Sequence, residues 1–312
     1  MNSYCLKNYE LLKISGYWVD HILKSFVLEN GLMDSPDKGR TLSHPFYFGI
    51  SQKFIQDNSK IKIMIVGQEA RGYGQLNDGT ARYDFLKIDG EIADKCTCYD
   101  ECNKNENFKI CADYLNCPII SQRWAIGFYE KQIFDNIYVG LSSYYKGENE
   151  IKKHSYVFLN TLRAFYDNDF VPCWNNLDKV YYGKQLTLFA EKILSAQYSL
   201  PHETVKKSLI QREIEEVNPD AIIFLTGPAY SVSMETAFGL SEGCLGKSGL
   251  KPDKYSPFND ITDILQIKKS GSGRVVPVIW SYHPNYINRI ADIDKVVSAI
   301  KAIIKDKLND KK

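Results

Sequence analysis

The stretch IMIVGQEARGYG, residues 63–74, decides how this sequence is expected to fold. It continues an apolar run that ends at a glycine, and three polar side chains, Gln68, Glu69 and Arg71, follow. A continuous apolar run, rather than an alternating one, is typical of a strand buried on both faces of a parallel sheet. The sequence therefore predicts a central strand over 61–67 with polar side chains beyond its carboxyl end.

Further strands and helices follow from patterns of the same kind. Strands are expected at 170–180, 221–227 and 275–284. Apolar residues recur at helical spacing in 9–27, 43–58, 155–168, 204–217 and 290–308, and the fourth of these helices is expected to begin at Thr204. Strands that alternate with helices indicate an α/β protein, which we expect to be a three-layer α/β/α fold with a central four-stranded parallel sheet.

The composition limits the class of protein. The 312 residues are 44% hydrophobic and 25% charged, which is typical of a globular chain. No stretch approaches the ~20 apolar residues that a membrane helix needs, and the amino terminus lacks the apolar segment of a signal peptide. We therefore expect a cytoplasmic protein without a membrane partner. The net charge of +1 argues against a protein that coats DNA, although a local basic patch is compatible with it.

The chain is expected to form a single domain over 1–312, with a helical region at 1–60 and a polar, cysteine-rich insertion at 84–150. Five of the eight cysteines lie in this insertion: Cys96, Cys98, Cys102, Cys111 and Cys117. Only Cys98 and Cys102 have the spacing of a metal-binding pair, so we expect unligated thiols and no cofactor. A zinc site or an iron–sulfur cluster in the insertion is the alternative.

Ligands of an open parallel sheet bind beyond the carboxyl ends of its strands. The residues at these positions are Gln68, Glu69, Arg71, Asn175, Asn176, Thr226, Gly227, Pro228, Tyr282, His283, Pro284 and Asn285. This set combines amides, a carboxylate and a histidine, and it suits a small, planar, polar ligand. A nucleoside triphosphate is not expected, because the sequence has no G-x-x-x-x-G-K-[ST] motif and no G-x-G-x-x-G after the first strand.

These strand ends, in order and in residue type, resemble the uracil-DNA glycosylase superfamily. GQEARGYG at 67–74 is similar to the first motif of that superfamily, which is GQDPY in one branch and GEAPG in another. SYHPNYI at 281–287 is similar to its second motif, HPSPL. NPDAIIFLTGPAY at 218–230 and WNNLDK at 174–179 are similar to two strands of its iron–sulfur branch, the second of them TNVVK. The resemblance implies the fold of that superfamily.

The resemblance covers residues 61–75 and 170–290 and implies two catalytic residues. Glu69 lies where one branch has its catalytic aspartate, so it would position water or stabilise positive charge on the sugar. His283 matches the histidine of HPSPL and would donate a hydrogen bond to the uracil O2 as negative charge develops there. A surface turn glutamate and a core histidine are the alternatives that involve no function.

The resemblance also implies residues that bind the base. Gln68 matches the glutamine of GQDPY, and Asn176 matches the asparagine of TNVVK, whose amide pairs with the uracil edge. Asn175 should face the opposite side of the strand, because side chains alternate. Tyr83 or Phe85 would stack on the base, or else would belong to the core of the insertion.

Four residues are expected on the DNA side of the site. Ile287 takes the place of the leucine that wedges into the base stack. Tyr286 replaces the second proline of HPSPL, and Asn285 replaces its serine. Arg71 departs from the first motif and would either clamp a phosphate or pair with Glu69.

The sequence thus leaves three hypotheses. The first is a monomeric DNA glycosylase that binds a flipped uracil or another deaminated base and hydrolyses its N-glycosidic bond. The second is a catalytically altered nucleobase- or nucleic-acid-binding protein on the same scaffold. The third is an unrelated α/β enzyme that uses Glu69 and His283 as an acid–base pair. The first two require that the strand ends bearing Glu69, Asn176 and His283 converge on one site.

Overall fold

The computed structural model describes residues 9–11, 13–23, 25, 49–69, 161–179, 197, 207–247, 249–284, 286–287 and 292–309. The chain divides into two compact units, of which the first comprises 1–52, 69–156 and 178–196 and the second comprises 53–68, 157–177 and 197–312. We call the second of these the sheet unit. The predicted insertion at 84–150 lies outside the described residues, and the expectation of a single domain stays a prediction.

The first unit contains a small antiparallel pair of strands. Strand β1 (Tyr9–Leu11) pairs with β2 (Gly49–Ser51), and helix α1 (Lys13–Tyr17) continues into a π-helical turn at Trp18–Leu23. Helix α2 (Gln52–Gln56) follows β2. Helices were predicted over 9–27 and 43–58. These predictions are wrong at Tyr9–Leu11 and Gly49–Ser51, which form strands. Pairing between distant segments outweighs the helical pattern there, since tyrosine favours strands and glycine disfavours helix interiors.

The main sheet has five strands in the order β4–β3–β5–β7–β6. These strands are β3 (Ile61–Glu69), β4 (Phe170–Asp178), β5 (Ala221–Phe224), β6 (Phe258–Asp260) and β7 (Val278–Ser281). Strand β5 is parallel to both β3 and β7, whereas β6 is antiparallel to β7. The Ile61 N–H donates to the Asp169 carbonyl at 3.3 Å, so β3 and β4 begin at the same edge. The predicted α/β class is confirmed, but the sheet has five strands and is mostly parallel, whereas four parallel strands were expected.

The central strands of this sheet are buried on both faces. Ile63, Met64, Ile65 and Val66 of β3 are all fully buried, as are the four residues of β5. Burial of each such side chain contributes about 1.5–3 kcal/mol, which is why the central strands appear as continuous apolar runs. Strand β6 was not predicted, because three half-buried residues are too few to form a pattern.

Helices connect the strands of the sheet unit. They are α3 (161–167), α4 (Leu209–Val217), α5 (Ser231–Phe238), α6 (Thr262–Leu265) and α7 (Ile293–Asn309). The described part of the predicted helix at 155–168 is confirmed, and so is the terminal helix predicted at 290–308. Within the described residues, no helix combines the length and the apolar character that crossing a membrane requires.

Helix α4 begins later than the sequence predicted. Its cap is Ser208 rather than Thr204: the Ser208 hydroxyl accepts the Gln211 N–H at 3.3 Å, and the Gln211 side chain accepts the Ser208 N–H at 2.9 Å. This reciprocal pair is a capping box, which satisfies two backbone donors at the helix start. The predicted end at Asn218 is confirmed, since that residue adopts the left-handed conformation with φ 51°.

Candidate functional site

The order of the strands defines a ligand-binding position in the sheet. Counted along the chain, the first strand, β3, lies between the second, β4, and the third, β5. The connections from β3 to β4 and from β4 to β5 therefore run in opposite directions across the sheet. Such a reversal opens a crevice at the carboxyl ends of the strands on either side of it, here β3 and β5.

A side-chain hydrogen bond crosses this crevice. Gln68, at the end of β3, donates from Nε2 to the backbone carbonyl of Thr226, just beyond β5, at 2.6 Å. A carbonyl can only accept, so the amide nitrogen of Gln68 must face it and the orientation of the amide is fixed. The Oε1 of Gln68 is thereby directed away from that carbonyl, and no described residue donates to it.

Thr226 is itself held by a buried network. The indole Nε1 of Trp280, on β7, donates to the Thr226 hydroxyl at 3.1 Å, and the hydroxyl donates to the sulfur of Met234, on α5, at 3.2 Å. All three side chains are fully buried. A satisfied polar network of this kind fixes the position of its members, because breaking it leaves buried groups without partners. The carbonyl that orients Gln68 is therefore fixed as well.

The ends of β5 and β7 touch at Gly227. Its N–H donates to the Ser281 carbonyl at 2.9 Å, and its backbone lies at φ 70° and ψ 171°, a conformation almost confined to glycine. A methyl group built at this position would lie 3.6 Å from the His283 backbone nitrogen and 3.7 Å from the Tyr282 ring. His283 therefore lies next to the end of β5, one strand away from Gln68.

His283 begins a short helical turn. Its carbonyl accepts hydrogen bonds from the N–H groups of Tyr286 at 2.8 Å and Ile287 at 3.2 Å. The side chain of His283 is half-buried. The turn fixes the backbone from which the imidazole projects.

Asn176 lies on β4, on the other side of β3. It is 3% exposed, and its N–H donates to the side-chain oxygen of Asn175 at 2.8 Å. The Asn175 amide nitrogen in turn donates to Glu213 of α4 at 2.8 Å. Asn175 thus faces α4, and its neighbour Asn176 projects to the other face, as alternation along the strand predicts. The order β4–β3–β5–β7 makes the strands of Asn176 and Gln68 neighbours, and it places the strand that His283 follows on the far side of β5 from Gln68.

The segment after β7 corrects one expectation. Ile287 is 0% exposed and belongs to the core, so it does not present a wedge at the surface, whereas Tyr286 is 37% exposed. The Tyr286 ring lies against that of Tyr282, with centroids 4.2 Å apart and planes at 34°. Burial raises the pKa of the Tyr282 hydroxyl above its ordinary value, and Tyr286 and Asp253 add to the shift. The exposed aromatic side chain near His283 is therefore that of Tyr286.

Several predicted site residues lie outside the described part of the chain. Glu69 ends β3, but its side chain is not described. The others outside are Arg71, Tyr83, Phe85, Asn285, Cys96, Cys98, Cys102, Cys111 and Cys117. Among the residues that are described, no group of three or more histidine, cysteine, aspartate or glutamate side chains is arranged to hold a metal ion.

The sequence analysis did not identify Trp280 and Glu213, which support the residues of the site from the sheet and from α4. Trp280 was one apolar residue among several in its strand. Glu213 did leave a signal: it occupies the apolar face of α4 together with Leu209, Ile214 and Val217. A glutamate at a core position of an amphipathic helix is unusual, and this pattern was available from the sequence.

Comparison of the chain with protein-family models, with curated proteins and with solved structures gives no match.

Proposed function

We propose that this chain is a DNA glycosylase with the fold of the uracil-DNA glycosylase superfamily, which binds a flipped uracil or another deaminated base and hydrolyses its N-glycosidic bond. The observation that carries the proposal is the placement of Asn176, Gln68 and His283 near the carboxyl ends of β4, β3 and β7, three strands of one sheet. These are the positions at which the resemblance expects base-binding and catalytic groups. The crevice between β3 and β5 is also the general ligand position of such a sheet.

Contacts of the helices support the three-layer arrangement in this proposal. Helices α4 and α5 contact each other. Helix α7 contacts the turn between α3 and β4, where Lys301 pairs with Asp169 at 2.6 Å. The connections from β3 to β4 and from β4 to β5 run in opposite directions, and with the usual right-handed crossover they would place their helices on opposite faces of the sheet. The antiparallel β6 then extends a parallel set of four strands at one edge.

The chemistry of the proposed site follows from its polar groups. The amides of Gln68 and Asn176 offer donors and acceptors in fixed planes, as the edge of a pyrimidine requires. Water adds its oxygen to the sugar C1′ as the bond from C1′ to the base nitrogen breaks. The electron pair leaves on the base, which finally receives a proton from the water. Water is the only co-reactant.

Two side chains would stabilise the charges that develop in this step. His283 is proposed to donate a hydrogen bond to the base oxygen on which the negative charge accumulates. Glu69 is proposed to stabilise the positive charge of the sugar or to position the water. Glu69 is the last residue of β3, and His283 lies two residues beyond the end of β7.

On the DNA side, Tyr286 replaces Ile287 as the proposed wedge, because its ring is exposed and is supported by Tyr282. An aromatic ring can occupy the gap that a flipped base leaves in the stack. Arg71 and Asn285 are proposed to contact the phosphate backbone. The protein is proposed to act as a monomer.

The test is base release from a defined oligonucleotide. The full chain is incubated with single- and double-stranded DNA that contains one uracil, and alkali then cleaves any abasic site. Parallel substrates contain hypoxanthine or xanthine, and a thymine oligonucleotide is the matched control. Strand cleavage that requires the deaminated base supports the proposal. The absence of product with all three bases, from folded protein at micromolar concentration, contradicts it.

The pair of stacked tyrosines favours a second candidate function. The exposed ring of Tyr286, which rests on that of Tyr282 at 4.2 Å, could offer its outer face for stacking a nucleobase without any chemistry. The second motif also departs from HPSPL at Asn285 and Tyr286. A catalytically altered protein that binds nucleobases or nucleic acid is therefore the alternative. Binding of the same oligonucleotides without base release, measured by gel shift, would favour it.

A further inference from the structure

Glu213 is a carboxyl group in an unusual place. It lies on α4 among apolar side chains and is 0% exposed. Burial of an ionisable carboxyl group costs several kcal/mol unless hydrogen bonds compensate for the lost water. An apolar residue at this position would fit the helix pattern without that cost. The buried glutamate therefore calls for an explanation beyond the stability of the core.

Glu213 accepts a hydrogen bond from Asn175, which lies next to the proposed base-binding residue Asn176. The Asn175 Nδ2 donates to the Glu213 carboxyl oxygen at 2.8 Å, and the Asn175 Oδ1 accepts the Asn176 N–H at 2.8 Å. A backbone N–H can only donate, so the Asn175 oxygen must face the Asn176 N–H and its nitrogen is left to face Glu213. The two ends of the Asn175 amide are thus distinguished, and its orientation is fixed.

The hydrogen bonds of the Asn175 amide influence the backbone of β4 at Asn176, the proposed base-binding residue. A side-chain oxygen that accepts the N–H of the next residue competes with the hydrogen bonds of the sheet. The conformation at Asn176 therefore depends on the Asn175 amide, which in turn depends on Glu213. Asn175 is 0% exposed and Asn176 is 3% exposed, so water cannot easily replace either bond.

We infer that Glu213 is a positioning residue for base selection: it acts through Asn175 to hold Asn176 in the orientation that distinguishes one base edge from another. The inference rests on the proposed function and goes beyond it, because it identifies a group on a helix behind the sheet as a determinant of specificity. An amide selects a base only when its plane is fixed, since a freely rotating amide presents donor and acceptor interchangeably.

The experiment compares Glu213→Ala with Glu213→Gln. Glutamine retains an oxygen that can accept from Asn175, whereas alanine removes it. For Glu213→Ala we expect kcat/KM for uracil release to fall about 10-fold to 100-fold, with a smaller loss for the other bases, so that discrimination falls. Glu213→Gln should retain most of the activity. Glu215→Ala is the matched control, because Glu215 lies on the same helix and pairs at the surface with Lys207 and Arg212.

A second variant separates positioning from folding. Replacement of both partners by leucine, Glu213→Leu with Asn175→Leu, removes both side chains of the carboxyl–amide hydrogen bond at once and also removes the side-chain acceptor of the Asn176 N–H. We expect this double variant to fold and yet to have lost discrimination between bases. Hydrogen exchange at the Asn176 amide gives a readout independent of activity, and exchange should be faster in Glu213→Ala and in the double variant than in Glu213→Gln.

The outcomes distinguish the inference from the function on which it rests. If the natural protein releases uracil and the folded double variant does so with unchanged discrimination, the inference is overturned and the function stands. If the natural protein releases no base, the proposed function fails, and exchange at Asn176 decides whether Glu213 controls that backbone. Unchanged protection in Glu213→Ala would then overturn the inference too.

Discussion

The two edges of the main sheet differ in the kind of polar contact they use. At the amino edge, three carboxylates meet basic side chains: Asp220 pairs with Lys269 and Arg274, Asp169 with Lys301, and Asp260 with Lys307. At the carboxyl edge, the bond from Gln68 to the Thr226 carbonyl joins two uncharged groups. The ion pairs join helices and turns to the starts of β4 and β5 and to the end of the antiparallel β6, whereas uncharged groups such as Gln68 suit a neutral, planar ligand at the other edge.

This comparison of the two edges indicates that polar side chains alone do not identify a functional site. The amino edge has the stronger charges, yet each of its three carboxylates already has a cation. The groups at the carboxyl edge are held from behind by buried networks such as that of Trp280, Thr226 and Met234. Groups that are fixed but not neutralised are the ones that can bind a ligand.

The largest expected effect tests which edge carries the activity. Replacement of His283 by alanine should lower kcat/KM for base release by about 100-fold to 1,000-fold, because the developing negative charge loses its donor. Lys301→Met, at the amino edge, should leave kcat/KM unchanged. Steady-state kinetics on the uracil oligonucleotide measure both variants. Equal losses in the two variants would contradict the assignment of the site to the carboxyl edge.

The next effect tests the contact between β5 and β7. Gly227→Ala should lower the free energy of unfolding by about 1–3 kcal/mol, because φ 70° with ψ 171° is strained for any residue with a Cβ. The added methyl group itself meets only ordinary contacts, the nearest at 3.6 Å. Urea denaturation measures the change, with Gly246→Ala as the control at a glycine outside the left-handed region. A neutral Gly227→Ala would show that the strand ends are not fixed there.

A smaller effect tests the network behind Gln68. Thr226→Val keeps the shape of the side chain but leaves the Trp280 indole N–H without its acceptor. We expect the free energy of unfolding to fall by about 1–2 kcal/mol. The matched control is Thr236→Val, on an exposed threonine of α5 whose hydroxyl bonds to the Val232 carbonyl. If both variants lose the same stability, the buried network has no special role.

The smallest effect concerns the ion pairs of the amino edge. Burial alone would raise the pKa of Asp260, but hydrogen bonds from Lys307 and Thr262 outweigh it and hold the pKa below its ordinary value. A carboxyl group whose pKa is lowered in the folded state stabilises the fold at pH values above its ordinary pKa of about 3.9. This stabilisation is lost as the pH falls through the lowered pKa.

Lys307→Met should therefore cost less than about 1 kcal/mol at neutral pH, since the pair is partly exposed, and the cost should vanish in acid. Denaturation at a series of pH values measures it, with the exposed Lys295→Met as control. A cost that persisted below the pKa of Asp260 would be one of packing and not of charge.

Much of the sheet unit was predictable, because its central strands are buried on both faces. Burial forces a continuous apolar run, so β3 and β5 were visible as such. Strand β6 and the pair β1–β2 were not, since each has only three residues and depends on a distant partner. The cap of α4 was visible in the sequence, as Ser208 and Gln211 have the spacing of a capping box, but Thr204 was chosen instead.

The candidate site was predictable only in part. Gln68, Asn176 and His283 were identified because polar residues directly follow or end buried strands. Ile287 was assigned to the surface by its place in a motif, yet it is buried, because its side chain and that of Tyr286 project to different sides of one helical turn. Sequence position gives the order of residues along a turn but not the direction in which each one points.

The sequence by itself determined the class of fold, since the alternation of buried strands and amphipathic helices follows from the hydrophobic pattern alone. The tertiary structure decided which strands are neighbours. The order β4–β3–β5–β7 brings residues more than 100 positions apart, such as Gln68 and Thr226, within hydrogen-bonding distance. It also placed Glu213 behind Asn175. The physical reason is that hydrophobicity acts on each segment locally, whereas hydrogen bonds between strand ends depend on the path of the whole chain.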